Sequence, residues 1–98
     1  MKRRVVVTGL GTVNPCGNTP DIYWQNLLAG HSGVGSITHF DTTDFKVDFA
    51  GEVRDLDTEQ CLDSREIRRM DLYSIYAMVA AIQAMEDSGL DLEAIDHN

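Results

Sequence analysis

The sequence has no long apolar run of the kind that places a chain in a membrane. A membrane-spanning helix needs about 18 consecutive apolar residues, and no such stretch is present. The basic start, Met1–Arg4, is followed by three valines, but the apolar run breaks at Thr8 and Gly9 and is too short for the hydrophobic region of a signal peptide. We therefore expect a soluble, cytoplasmic protein.

Cysteines and cationic residues are also scarce. Cys16 and Cys61 lie far apart, and in a cytoplasmic protein two such cysteines are expected to be free thiols. They form no closely spaced ligand pair with each other or with the three histidines, so no metal site is predicted; the histidines are His31, His39 and His97. Only 8 lysines and arginines oppose 16 acidic residues, and a net charge of −8 argues against nucleic acid as the main partner.

The chain opens on a strongly apolar segment. Three β-branched residues, Val5–Val7, precede Gly9 and Gly11, which predicts a strand with apolar residues on both faces, as in sheets that are covered on both sides. The glycines match the start of the dinucleotide-binding pattern G-x-G-x-x-G. Asn14 occupies the third glycine position, however, and the next helix begins too late to meet a pyrophosphate. A small nucleotide-binding domain is therefore not favoured.

Capping residues and apolar spacing predict three helices and a second strand. The first helix starts at Asn18–Asp21, has one apolar face and stops at Gly30, and a glycine-rich loop follows. Val47–Val53 reads as a weakly alternating strand. A short helix capped by Asp63 or Ser64 precedes a long helix over about residues 72–88 that ends at Gly89.

The long helix is apolar nearly all round, which is typical of a helix buried inside a large protein. Its small residues suit close packing of another helix or a subunit; they are Ala77, Ala80, Ala81 and Ala84. A chain of 98 residues has little material to cover this helix and both faces of the first strand. Residues 1–98 are therefore predicted to be an incomplete domain, a segment of a longer protein.

Two features raise the question of a functional site. Arg65, Arg68 and Arg69 fall on one side of the short helix, where they could bind an acidic partner or pair internally with Asp63, Glu66 or Asp71. From the residues alone both interpretations stay open. Cys16, between a proline and a glycine, has no histidine placed by any sequence pattern to activate it, so we interpret it as a small apolar residue.

Taken in order, several short motifs resemble the start of a β-ketoacyl-acyl carrier protein synthase. They are Thr8-Gly9-Leu10-Gly11, Pro15-x-Gly17-Asn18, Trp24-x-x-Leu27-Leu28-Ala29-Gly30, Ser32-Gly33-Val34-Gly35, Thr38-His39-Phe40-Asp41 and Arg68-Arg69-Met70-Asp71 before the alanine-rich helix. The resemblance covers nearly all of the chain and is strongest to the type II condensing enzymes of bacterial fatty-acid synthesis.

The resemblance implies an α/β fold of the thiolase type, in which a mixed sheet is flanked by helices in an α-β-α-β-α arrangement, and a homodimer. It implies an acyltransferase that elongates an acyl chain by decarboxylative Claisen condensation with malonyl-acyl carrier protein, without a cofactor. Two alternatives remain within this family. One is a relative that has lost the catalytic cysteine, such as a chain-length factor, and the other is a polyketide ketosynthase. A non-catalytic module that binds an acidic protein is the alternative outside it.

The resemblance also assigns roles to residues. The family's catalytic cysteine and two histidines lie beyond the matched stretch, so no catalytic residue is expected here and the segment alone is predicted to be inactive. Cys16 stands where relatives usually carry an aliphatic residue, and Asn14 replaces a common threonine. Arg65, Arg68 and Arg69 match the helix through which family members dock the acidic acyl carrier protein, although Arg69 adjoins Met70-Asp71 and could turn inward to a salt bridge.

Overall fold

The computed structural model describes residues 2–58, 62–91 and 93. Its elements, in chain order, are α1 (Pro20–Ala29), β1 (Val34–Ser36), β2 (Phe49–Gly51), α2 (Ser64–Arg69) and α3 (Leu72–Ser88). The radius of gyration is 17.3 Å, whereas a compact domain of about 100 residues has roughly 13 Å. The chain is thus more extended than a fully packed domain of its length.

The first predicted strand is wrong for the described structure. Residues 2–13 contain no regular secondary structure, and Val5, Val6 and Val7 are 93%, 70% and 80% exposed. A strand requires a neighbouring backbone for its hydrogen bonds, and no described strand lies beside these valines. The segment then enters a tight turn, closed by reciprocal backbone hydrogen bonds of 3.1 Å between Asn14 and Gly17.

Helix α1 begins and ends where the capping residues predict. The Thr19 hydroxyl accepts the Ile22 N–H at 3.3 Å, Pro20 occupies the first turn, and Gly30 ends the helix with φ 74°. The expected buried face is wrong, however, because α1 has no buried residue and Trp24 is 61% exposed. The described part of the chain covers this apolar face only in part, and Ile22 and Leu27 are 48% and 46% exposed.

The sheet is smaller than the mixed sheet that the resemblance implies. Strands β1 and β2 pair antiparallel with Val34 opposite Gly51 and Ser36 opposite Phe49. β1 lies in the segment expected to be a loop, and β2 is the centre of the strand predicted over Val47–Val53. Neither strand has a fully buried residue, and the central residue of each is half-buried. Three helices and this two-stranded sheet are the regular elements of the described residues.

The two C-terminal helices are confirmed. The Asp63 side chain caps α2, and α3 ends at Gly89 with φ 65°. One face of α3 contributes Ile75 and Val79 to a small core with Leu62; half-buried residues pack around it, namely Val13, Leu56, Ile67, Met70 and Ile82. The remainder of α3 is less covered, and Met78 and Met85 are exposed.

Two alanines of α3, Ala80 and Ala84, pack against the chain's own first segment, where the sequence suggested another helix or a subunit, and Ala77 and Ala81 are exposed. A Cβ added to Gly9 would lie 2.7 Å from the backbone nitrogen of Ser88, and one added to Gly11 would lie 2.8 Å from that of Ala84. Both distances are too short for carbon, so only glycine permits this approach. Two hydrogen bonds of 3.0 Å fix the contact: the N–H groups of Leu10 and Thr12 donate to Asp87 Oδ2 and Gln83 Oε1.

Candidate functional site

The structure brings the three predicted arginines together on the solvent side of α2. Arg65, Arg68 and Arg69 are exposed, and we call this surface the arginine face. Ile67, on the opposite side of the helix, is half-buried and packs against the core around Ile75. At about 100° per residue, the three arginines span only about 100° of the helix circumference. The anchoring of Ile67 therefore points the arginine side of α2 toward solvent.

The acidic residues close in sequence do not neutralise the arginine face. Within the described residues, no carboxylate oxygen lies within 4.0 Å of any of the three guanidinium groups. The Asp63 carboxylate instead accepts the backbone N–H of Glu66 at 2.8 Å. Arg69 does not form the inward salt bridge to Asp71 that the sequence left open. The internal-pairing interpretation thus has no ion pair to support it in the described part of the chain.

Guanidinium groups arranged in this way are suited to anionic surfaces. Each presents a planar set of N–H donors that matches a carboxylate or a phosphate in a two-bond geometry. Positions three and four residues apart project side by side from a helix, so one partner helix or loop could contact all three. In a chain of net charge −8, this concentration of cations is a local exception.

Cys16 is not assembled into a nucleophilic site. It sits in the Asn14–Gly17 turn, where its N–H donates to Asn14 Oδ1 at 2.8 Å and its carbonyl accepts a short hydrogen bond from the Asn26 side chain. No hydrogen bond joins its thiol to a histidine among the described residues, so no base is present to activate it. Cys61 and His97 lie outside the described residues.

A buried acid, Glu52, was not predicted from the sequence. Its side chain is 6% exposed, and it accepts the N–H groups of Thr38 and His39 at 2.8 and 3.1 Å, with His39 Nδ1 at 3.2 Å. Burial acts to raise the pKa of Glu52, but these donors, the His39 charge and the Thr38 hydroxyl together outweigh burial and lower it. In the strand predicted over Val47–Val53, Glu52 lies on the same face as the acidic residue Asp48. That pattern predicts a solvent-exposed position for Glu52, not a buried one. Through these hydrogen bonds, Glu52 at the end of β2 holds the loop that follows β1 in place.

A wide apolar groove lies between the first segment and α1. Its volume is about 560 Å³, and its lining includes Leu10, Tyr23, Trp24 and Leu27.

No group of three or more metal-ligating side chains occurs in residues 2–58, 62–91 and 93. The same residues contain no helix with the length and apolar character to cross a membrane.

Comparison with known proteins places these features in a family. Residues 2–98 match the family model described as the beta-ketoacyl synthase N-terminal domain. The chain is 53% identical over 91 residues to 3-oxoacyl-[acyl-carrier-protein] synthase 2 of Vibrio cholerae, covering 93% of this chain and 22% of that protein. It is 46% identical over 95 residues to the synthase of the same name from Synechocystis, covering 97% of this chain and 23% of the relative.

A solved structure supports the same assignment. The ishigamide ketosynthase/chain length factor superposes with a TM-score of 0.86 at 35% sequence identity, over 97% of this chain and 24% of that one. The chain thus spans less than a quarter of the length of the relatives it matches. The described elements are part of the thiolase-like ketosynthase fold. The chain belongs to the beta-ketoacyl synthase family and matches its N-terminal domain, with strong similarity to the type II synthases of fatty-acid biosynthesis.

Proposed function

We propose that this chain is the N-terminal, carrier-protein-docking part of a 3-oxoacyl-[acyl-carrier-protein] synthase that elongates fatty acids in the cytoplasm. In that reaction the malonyl group on the carrier protein loses CO₂, and its C2 carbon forms a new bond to the carbonyl carbon of an acyl thioester held by the enzyme, while the C–S bond of that thioester breaks and the enzyme thiolate leaves. The whole enzyme acts as a homodimer. The observation that carries the proposal is the arginine face, exposed and without an ion pair in the described residues.

The chemistry itself requires groups that residues 2–58, 62–91 and 93 do not bring together. Holding the acyl chain needs an activated thiolate, and Cys16 lies in a tight turn where no described residue places a base at its sulfur. His39 is held by Glu52 through Nδ1, and among the described residues no hydrogen bond joins its ring to Cys16. We therefore assign no catalytic residue to this chain and expect it to be inactive alone.

The arginine face gives this chain a way to bind an acidic carrier despite its own charge. At net charge −8, the chain as a whole repels an acidic protein, so productive encounters must be localised at a cationic surface. Charge complementarity of this kind mainly increases the association rate and selects one orientation. A carrier protein docked at Arg65, Arg68 and Arg69 would present its thioester in a defined direction.

A second candidate function lies within the same family and takes one of two forms. The whole protein is either a partner that does not itself condense, such as a chain-length factor, or a polyketide ketosynthase. The structural similarity to the ishigamide ketosynthase/chain length factor favours it. The identity of 53% to a fatty-acid synthase 2, against 35% to that protein, favours the first proposal. A cysteine and two histidines in the sequence that follows residue 98 would decide for a condensing enzyme.

Titration of the chain with holo acyl carrier protein tests the docking proposal. The variant Arg65→Glu/Arg68→Glu/Arg69→Glu should weaken binding at least about tenfold, because it places like charges against the carrier. The matched control, Lys2→Glu/Arg3→Glu/Arg4→Glu, changes the net charge equally at exposed residues outside α2 and should have a smaller effect. Equal loss in both variants would reduce the effect to net charge and contradict the proposed surface.

A further inference from the structure

Helix α2 is too short to hold the arginine face by itself. It has six residues, and isolated helices shorter than about 12 residues are marginal in water because nucleation is costly. Its last turn tightens through a hydrogen bond of 3.3 Å from the Met70 N–H to the Ile67 carbonyl. The orientation of the three arginines therefore depends on contacts at its ends and on Ile67.

Asp63 supplies the contact at the N-terminal end. Its backbone is extended, its carbonyl accepts the Ile67 N–H at 3.1 Å, and its Oδ1 accepts the Glu66 N–H at 2.8 Å. The residue thereby satisfies two of the first N–H groups of a helix that forms few internal hydrogen bonds. Asp63 also lies only two residues before Arg65, so a change there alters the local charge as well as the cap.

We infer that Asp63 is a positioning residue for carrier-protein docking: it holds α2 folded so that Arg65, Arg68 and Arg69 meet the partner together. The inference rests on the proposed function. A partner that recognises the folded helix binds in proportion to the fraction of chains in which that helix is formed. The cap raises this fraction, even though the Asp63 carboxylate itself repels an acidic carrier.

The two roles of Asp63 predict opposite signs, which makes them separable. Asp63→Asn removes the negative charge but keeps a good capping side chain, whereas Asp63→Ala removes both. If Asp63 acted through charge alone, both variants would bind the carrier more tightly and equally. Glu66→Gln is the matched control, because it removes a neighbouring charge while the Glu66 backbone N–H stays free to donate to Asp63.

The experiment is a calorimetric titration of the 98-residue chain and these variants with holo acyl carrier protein. We expect Asp63→Asn and Glu66→Gln to bind as tightly as the unaltered chain or slightly more tightly, and Asp63→Ala to bind about two- to fivefold more weakly than Asp63→Asn. Amide hydrogen exchange at Arg68 and Arg69 should accelerate in Asp63→Ala and be restored in Asp63→Asn.

The outcomes separate this inference from the function on which it rests. Equal affinities of Asp63→Ala and Asp63→Asn would overturn the positioning role, even where the charge reversal of the arginine face abolishes binding. Unaltered binding after that charge reversal would overturn the docking function itself. Should the isolated chain bind too weakly to titrate, the same variants are compared through the Michaelis constant for the carrier in a chimera. That chimera carries residues 1–98 in place of the matching segment of the Vibrio cholerae synthase.

Discussion

At the scale of single residues, two polar side chains accept hydrogen bonds from backbone N–H groups that are distant in the sequence. Glu52 binds N–H groups 13 and 14 residues away, and Gln83 accepts the Thr12 N–H across 71 residues. None of these contacts is visible in the local sequence, because the pattern around each residue specifies its own element but not its distant partner. The burial of Glu52 was missed for this reason.

The Glu52 contacts predict a pH-dependent loop. Because the pKa of Glu52 is lowered on folding, its contribution to stability is fully present above its ordinary value of 4.5 and is lost as the pH falls through the lower folded value. Glu52→Gln should reduce the exchange protection of the Thr38 and His39 amides at neutral pH. The difference from the unaltered chain should shrink below pH 4.5.

Exchange protection factors measured by NMR over a pH series check this prediction. Asp48→Asn is the matched control, since Asp48 is an exposed acid of the same segment whose backbone carbonyl, not its carboxylate, bonds Ile37. Loss of protection in the control as large as in Glu52→Gln would argue against a specific role of the buried carboxylate.

Gly11 predicts a steric requirement at the contact between the first segment and α3. Gly11→Ala places a methyl group against the backbone of Ala80 and Ala84, so the segment must move away. The cost expected for such overpacking is about 1–3 kcal/mol of unfolding free energy. Thermal melts of the Vibrio cholerae chimera measure it. An unchanged melting temperature in Gly11→Ala would contradict the close approach.

At the scale of elements, all three helices were predictable, whereas of the strands only β2 was, within the predicted range Val47–Val53. The ends of α1, α2 and α3 follow from residues within a few positions, namely Thr19, Gly30, Asp63 and Gly89. Strands depend on partners that the local sequence does not name, so Val5–Val7 stays unpaired and β1 forms within an expected loop. The arginines could be placed on one side of α2 from their spacing, but the absence of ion pairs in the described residues required the structure.

The N-cap of α1 predicts a local loss of helix stability. Thr19→Ala removes the hydroxyl that accepts the Ile22 N–H, and loss of such a cap costs about 1 kcal/mol. Thr19→Ser keeps the hydroxyl and should behave as the unaltered chain. Hydrogen exchange at the Ile22 amide is the readout. Equal exchange rates in the alanine and serine variants would show that Thr19 does not cap the helix.

At the scale of the whole molecule, the apolar surface exceeds what the described core uses. Leu62, Ile75 and Val79 are the buried apolar residues of the described chain, while large apolar side chains stay exposed, among them Trp24, Leu28 and Phe49. Contiguous exposed apolar surface marks an interaction site or an unfilled interface. If the chain is part of a ketosynthase, as we propose, the rest of that enzyme would cover these apolar faces.

This surplus predicts weak cooperativity for the isolated chain. Three buried apolar residues provide little of the burial that drives cooperative folding, so ellipticity should fall gradually on heating. The Vibrio cholerae chimera should melt in one sharp transition, because the apolar faces are then covered. A sharp, monomeric transition of the isolated chain would contradict the prediction that residues 1–98 form an incomplete domain.

The Vibrio cholerae chimera can show whether this chain serves as the docking segment of a condensing enzyme, as we propose. Steady-state condensation by the Vibrio cholerae synthase carrying residues 1–98 of this chain is measured as the concentration of malonyl-acyl carrier protein is varied. We expect an active enzyme in which Arg65→Glu/Arg68→Glu/Arg69→Glu raises KM for the carrier about tenfold and leaves kcat nearly unchanged. An inactive but folded chimera, or an active one whose KM is insensitive to the three arginines, would contradict the proposal.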